Sequence, residues 1–403
     1  MSLHLPIYLD YNATTPMDRR VLEAMMLYLT DEFGNAASNN HEYGYRAKAA
    51  VEKARQQVAA LIGAEPKEII FTSGATESDN LAIKGVAEAR GERGEHLITC
   101  GTEHSAVLDT CKHLQKHGRE VTYLQPDQFG RVVARQVAEA LTDRTVLVTL
   151  MLANNEVGTL NPICEIAAAV KDRGALLHSD ATQAVGKMPV NVNELGVDLL
   201  SISAHKLYGP KGVGAMYVRR GVRVLAQMHG GGHERNMRSG TLNVPGIVGL
   251  GAACEIAGRE MAEEAKRVSA LRDRLERGIL ARLDEVTLNG HPTERLANTS
   301  NLSFAYVEGE GLMMRMKDVA VSSGSACTSA SLKPSHVLSA MGVPDELNHA
   351  SLRFSLGRFS TEEEVDYTIE QVVRAARELR ELSPLYEMAR GGIDLNKVHW
   401  TEH

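Results

Sequence analysis

The chain has 403 residues, 43% of them hydrophobic and 24% charged, with 44 basic against 51 acidic side chains and a formal net charge of −7. That length exceeds what one core supports, so two domains are expected, one large and one small. The acidic balance argues against recognition of nucleic acid or an anionic membrane through overall charge. No apolar run approaches the ~20 residues of a membrane span, and the start "MSLHLPIYLDYNATTP" lacks a basic region followed by an apolar one, so neither a membrane anchor nor a secretory signal is expected.

From about residue 68 to 218, strand-like and helix-like segments alternate. "EIIFTS" precedes "ESDNLAIKGVAEA", "HLITC" precedes "SAVLDTCKHLQKHG", and "VTYLQ" precedes "ARQVAEAL". "TVLVTLML" precedes "EIAAAVKDRG", and "ALLHSD" closes the series. Short, β-branched runs that are apolar throughout imply an α/β fold, a mostly parallel sheet sandwiched by helices, with its active site beyond the carboxyl ends of the strands. A long helix over roughly 244–283 then leads into a smaller α+β domain. The strands expected there are "VTLNG", "NLSFAYV", "VAVSSG" and "SLRFSLG", and the helices "EGLMMRMK" and "EEEVDYTIEQVVRAARELREL". The expected division is a large domain over 16–260 and a small one over 1–15 and 261–403.

Four strand ends carry residues with chemistry in them. "FTSGATES" puts Gly74, Ala75 and Thr76 between strand and helix, where backbone N–H groups and the helix N-terminus favour an anion. "TEHSAV" puts His104 after a strand, and "LLHSDATQAVG" gives Asp180 and Gln183. "SISAHKLYGPKGVGAMYV" carries Ser203, His205 and Lys206 before a glycine-rich turn. Each has an ordinary reading by itself: a helix cap, a packed histidine, a capping carboxylate, an exposed lysine. Together they supply a phosphate cradle, a flat ring, a partner for a ring nitrogen and an imine-forming lysine. Pyridoxal phosphate requires that set.

Taken with "YLDYNATTP", "SGATESDN", "ANNEVGT", "HSDATQAVGK", "SAHKLYGPKGVGA", "HGGGHERNMRSGT" and "SSGSACTSASLKPSHVL", nearly the whole chain resembles the class V pyridoxal-phosphate enzymes of fold type I, and within them the cysteine desulfurases. The cysteine segment, "RFSLGRF" and "LSPLYEMARGGIDLNKVHW" resemble the Isc type that serves iron–sulfur cluster assembly; a nitrogen-fixation-type desulfurase is the next reading. The resemblance implies that Lys206 binds the cofactor covalently, that Asp180 meets the pyridine nitrogen and Gln183 the phenolic oxygen, and that His104 stacks on the ring. It implies that Ala75, Thr76, Ser203 and His205 hold the phosphate, that Asn155 lies near cofactor and substrate, and that Arg353 grips the substrate carboxylate. Thr241 would reach the phosphate of a partner subunit, which implies a homodimer. A scaffold protein and other sulfur acceptors are implied as partners, with Cys327 a transient ligand of a [2Fe–2S] cluster shared with that scaffold. Two departures stand out: Asn12 where some relatives have serine, expected to change little, and Lys333 where an acidic residue is common.

Five cysteines are scattered without a metal-ligand spacing, which fits a reducing cytoplasm. Cys100, Cys111, Cys164 and Cys254 read as ordinary structural cysteines. Cys327 differs, because serine, glycine, alanine and threonine surround it in a segment of about 322–333. The expectation is a thiol on a mobile loop that attacks the sulfur of L-cysteine, becomes a persulfide as L-alanine leaves, and carries the sulfur to an acceptor. The rivals are a selenocysteine lyase, an aminotransferase and a scaffold without catalysis. Both Lys206 and Cys327 are present, which counts against the last.

Overall fold

The structure, a computed structural model, describes residues 3–323 and 334–391. Cys327, Lys333 and the tail from 392 lie outside the described residues, as does all of the expected cysteine loop except Ser322 and Ser323.

The large unit is built on a seven-stranded sheet. Its strands are β2 (Ile69–Thr72), β3 (His96–Cys100), β4 (Glu120–Leu124), β5 (Thr145–Thr149), β6 (Leu176–Asp180), β7 (Leu199–Ser203) and β8 (Gly214–Val218), in the spatial order β2-β8-β7-β6-β5-β3-β4. The four pairings from β4 to β7 are parallel, while β8 runs antiparallel between β7 and β2. All strands but β4 are buried at every residue. That is why they read as continuous apolar runs, and each large aliphatic side chain so buried contributes ~1.5–3 kcal/mol. The edge strand β4 exposes Glu120, a charge that protects a free edge.

Helices cover both faces. α3 (Ala75–Ala89) and α4 (Ser105–Lys116) pack on one core with Leu97, Leu147, Leu176 and Leu199. On the other face lie α1 (Arg19–Thr30), α2 (Glu42–Ile62), α5 (Ala134–Ala140), α6 (Ile163–Asp172), α7 (Val192–Leu195) and the start of the 37-residue α8 (Val244–Leu280).

α8 continues into a second core. There it meets β9 (Val286–Asn289), β10 (Thr299–Phe304), α9 (Gly309–Arg315), β11 (Val319–Ala320), β13 (Ser351–Ser355) and α12 (Glu362–Glu381), while β12 (Ser322–Ser323), α10 (His336–Ala340), α11 (Asp345–His349) and α13 (Pro384–Arg390) lie outside that core, with Val337 and Leu338 of α10 clustered with Val157. The four-stranded sheet has the order β12-β13-β10-β9, and β1 (Ile7–Tyr8) pairs with β11. Along α8, Ile256 belongs to the first core and Val268 to the second, and Ile7 and Leu9 also join the second. We propose on that ground the domain division at about residue 260, with the N-terminal 15 residues assigned to the small domain.

Candidate active site

The carboxyl ends of β2, β3, β6 and β7 open into a cleft of about 590 Å³. Ala75, Thr76, His104, Asn155, Asp180, Gln183, Ser203, His205, Lys206 and Arg353 all line it. Residues far apart in sequence therefore face one volume, with Arg353 arriving from the small unit on β13.

The turn into α3 is shaped for an anion. Gly74 caps the helix at φ 150°, a backbone conformation that favours glycine, and no side chain caps the first N–H groups. A Cβ on Gly214 of β8 would sit 2.7 Å from the Gly74 Cα and 2.5 Å from the Ile202 carbonyl oxygen, so the close approach of strand to turn requires glycine there as well. Behind the turn, Glu77 accepts from Ser73 N–H (2.8 Å) and from Arg238 Nε (2.8 Å). That locks the loop and leaves the helix end open to a phosphate-sized group.

Lys206 follows β7 in a short 3₁₀ turn and donates from Nζ to the carbonyls of Asn12 (2.5 Å) and Ala13 (2.7 Å). Asp180 ends β6, is 7% exposed, and accepts from Thr182 N–H through Oδ1 (2.9 Å). His104 caps α4 by accepting from Ala106 N–H at Nδ1 (3.1 Å), so its ring proton sits on Nε2. Burial lowers the His104 pKa, and nearby Asp180 opposes that. His205 meets the Thr14 hydroxyl at Nδ1 (3.1 Å), and burial, with the Lys206 and Lys211 cations, pushes it down to about 4. It is therefore a neutral ring at neutral pH.

Arg353 is 2% exposed. It donates to Asn155 O (2.9 Å) from Nη1, and to Asp10 Oδ1 (2.7 Å) and Ser322 Oγ (3.3 Å) from Nη2. A guanidinium has five N–H donors. Those three bonds leave two, and Nε is without a partner among the described residues. The salt bridge to Asp10 that a strand-edge arginine would make is present.

Several contributors were not legible beforehand. Asn12, expected to matter little, uses every polar atom it has. Its N–H donates to Ser355 Oγ (2.9 Å) and its Nδ2 to Thr299 Oγ1 (2.8 Å) and Asn155 O (3.2 Å). Its Oδ1 accepts from Lys187 and Asn298, and its carbonyl from Gln183 and Lys206. Asn12 thus ties both units to the cleft, which a serine could not do with one hydroxyl. Below Asp180 on the same face of β6 is His178, bound to Thr149 Oγ1 (2.8 Å) and Ser201 Oγ (3.0 Å). Asp79 of α3 lies 3.7 Å from it, fully buried, with neither carboxyl oxygen hydrogen-bonded among the described residues. Burial, reinforced by Asp180, raises Asp79 well above the carboxylate range, and burial pushes His178 down to about 4. Both shifts disfavour an ion pair here.

Thr241 is exposed and outside this cleft. Cys100, Cys111 and Cys254 are buried and unpaired, and burial raises their thiols to about 11, 12 and 12; Cys164 is exposed. Among the described residues no helix is long and apolar enough to cross a membrane.

These features fit pyridoxal phosphate. An uncapped helix end and a lysine amine line one cleft, a carboxyl sits at a strand end between them in sequence, and the Asn155 Oδ1 atom is buried on the cleft wall without a partner among the described residues. Comparison with known proteins agrees. The model of the aminotransferase class-V family matches residues 7–368. The cysteine desulfurase IscS of Anaeromyxobacter dehalogenans (strain 2CP-C) is 58% identical over 400 residues, 99% of each chain. Among solved structures, a NifS-like protein superposes with a TM-score of 0.87 at 40% identity, covering 93% of this chain and all of that one. SspA in complex with cysteine superposes at 0.78 and 37% identity, covering 88% of this chain and all of that one. Pyridoxal phosphate is the cofactor of this family. The chain belongs to the class-V aminotransferases and, within them, to the cysteine desulfurases of the IscS type.

Proposed function

We propose that this enzyme takes sulfur from L-cysteine, releases L-alanine, and holds the sulfur as a persulfide on Cys327 for delivery to acceptor proteins. The observation that carries the substrate reading is Arg353, a buried cation on the wall of the cleft that holds Lys206, whose Nε has no partner among the described residues. A related structure is a complex with cysteine. Bound here, pyridoxal phosphate supplies a ring that draws electrons from the substrate α-carbon. Ala75, Thr76, Ser203 and His205 hold its phosphate, Asp180 its ring nitrogen and Gln183 its phenolic oxygen. Asn155 borders cofactor and substrate. Lys206 would hold the cofactor through its amine and would move the α-proton at Nζ. His104 carries an exchangeable proton on Nε2 for the thiols.

The sulfur step balances without an external oxidant. The Cys327 thiolate forms an S–S bond to the substrate sulfur while the substrate Cβ–S bond breaks. The electron pair and a proton end on that carbon, so L-cysteine and one thiol become L-alanine and one persulfide. Replacing Cys327 by alanine tests this. Alanine and sulfide formation should cease while the cofactor absorbance stays, and continued sulfur transfer would overturn the role.

Iron–sulfur cluster assembly and transfer-RNA thiolation are the proposed destinations, with Cys327 a transient ligand of a [2Fe–2S] cluster shared with a scaffold protein. We take the enzyme to be a cytoplasmic homodimer. Supporting this, α1 turns Leu22, Met26 and Leu29 to solvent, and Thr241 stands away from its own cleft. Sedimentation should give twice the chain mass.

A further inference from the structure

Gln183 and Lys187 are four residues apart in a helix-like turn after β6, where Lys187 N–H bonds to Ala184 O and Val185 N–H to Ala181 O. Their side chains therefore meet. Lys187 Nζ donates to Gln183 Oε1 at 2.6 Å and to Asn12 Oδ1 at 3.1 Å. Gln183 Nε2 donates one hydrogen to the Asn12 carbonyl at 3.0 Å. This pattern admits one amide orientation. The flipped amide would set its NH₂ against the Lys187 ammonium and its oxygen against the Asn12 carbonyl. The second Nε2 hydrogen remains, on a residue that lines the cleft. Lys187 itself does not line the cleft; it faces a crevice behind it with Tyr11, Tyr208, Glu264 and Asn298.

We propose that Lys187 is a positioning residue that orients and polarises the Gln183 amide, so that its free N–H and a cation behind it face the phenolic oxygen of the cofactor. This rests on the proposed contact between Gln183 and that oxygen. The groups acting on Lys187 come from three directions: Lys206 after β7, Arg353 on β13 and Glu264 on α8. Burial and the two cations lower its pKa, and Glu264 opposes them.

The test is the pH titration of the bound cofactor's visible absorbance in the full-length enzyme, for wild type, Lys187→Met and Lys187→Arg. A nearby cation disfavours proton uptake by the chromophore. Its removal in Lys187→Met should raise the titration midpoint by roughly one pH unit, while Lys187→Arg, which keeps the charge, should stay near wild type. Should Lys187→Met not fold, Lys187→Gln removes the charge with a polar side chain and should show the same rise. An unshifted midpoint in a folded, neutral variant overturns the inference while leaving the cofactor site standing. A wild-type protein that never acquires the absorbance overturns the site reading and this inference together.

Discussion

Arg353→Lys separates substrate recognition from scaffold stability. Lysine keeps the positive charge and has three N–H donors. Three acceptors already surround the site: Asn155 O, Asp10 Oδ1 and Ser322 Oγ. A lysine that satisfies them has no hydrogen left for a substrate carboxylate, whereas the five of arginine exceed these three bonds, the ones it makes among the described residues, by two. Two charge-assisted hydrogen bonds are worth ~1.5–3 kcal/mol each. Because the charge remains, the lower end applies, a loss of about 3 kcal/mol or roughly 10²-fold in kcat/KM. Asp10 keeps a cationic partner, so the melting temperature should fall only slightly, and cofactor absorbance should be unchanged. The assay is alanine release over a range of L-cysteine concentrations, alongside a thermal melt. A kcat/KM within threefold of wild type would show that the unused donors do not bind substrate.

Asp79→Asn tests the buried acid behind Asp180. The unfolded carboxyl loses its proton above about pH 3.9 while the folded one keeps it, so this group's contribution to stability falls as pH rises from there until the folded group also ionises. The variant should therefore gain on wild type in urea unfolding by up to about 1.4 kcal/mol per pH unit over that window. A gain for wild type with rising pH would mean that Asp79 is ionised. Gly214→Ala should push β8 from the Gly74 turn, cost about 1–3 kcal/mol and weaken cofactor retention on dialysis; unaltered retention would show that the close approach is not needed. Glu234→Gln breaks a buried pair in which Arg55 donates to both carboxyl oxygens at 2.8 Å. It should cost about 3–5 kcal/mol in denaturant unfolding, with a loss below 1 kcal/mol contradicting the pairing.

Much of the site was legible because strands buried on both faces must end where polar residues begin. Asp180, His104 and Lys206 follow such runs, and the helix over 244–283 was recognisable from its length and charged face. Asn12 was not legible, since its partners lie between 143 and 343 residues away in sequence and no local spacing encodes them. Asp79 looks like the polar face of α3; only the sheet packed against that helix buries it. The antiparallel β8 reads like any other apolar strand, because direction leaves no mark on a run buried from both sides.

The most direct test is to incubate the purified, cofactor-loaded enzyme with L-cysteine and a thiol reductant, and to measure alanine, sulfide, pyruvate and ammonia together. Desulfuration through Cys327 predicts alanine and sulfide in equal amounts. Sulfide accompanied by pyruvate and ammonia would mean β-elimination, and would contradict the persulfide account.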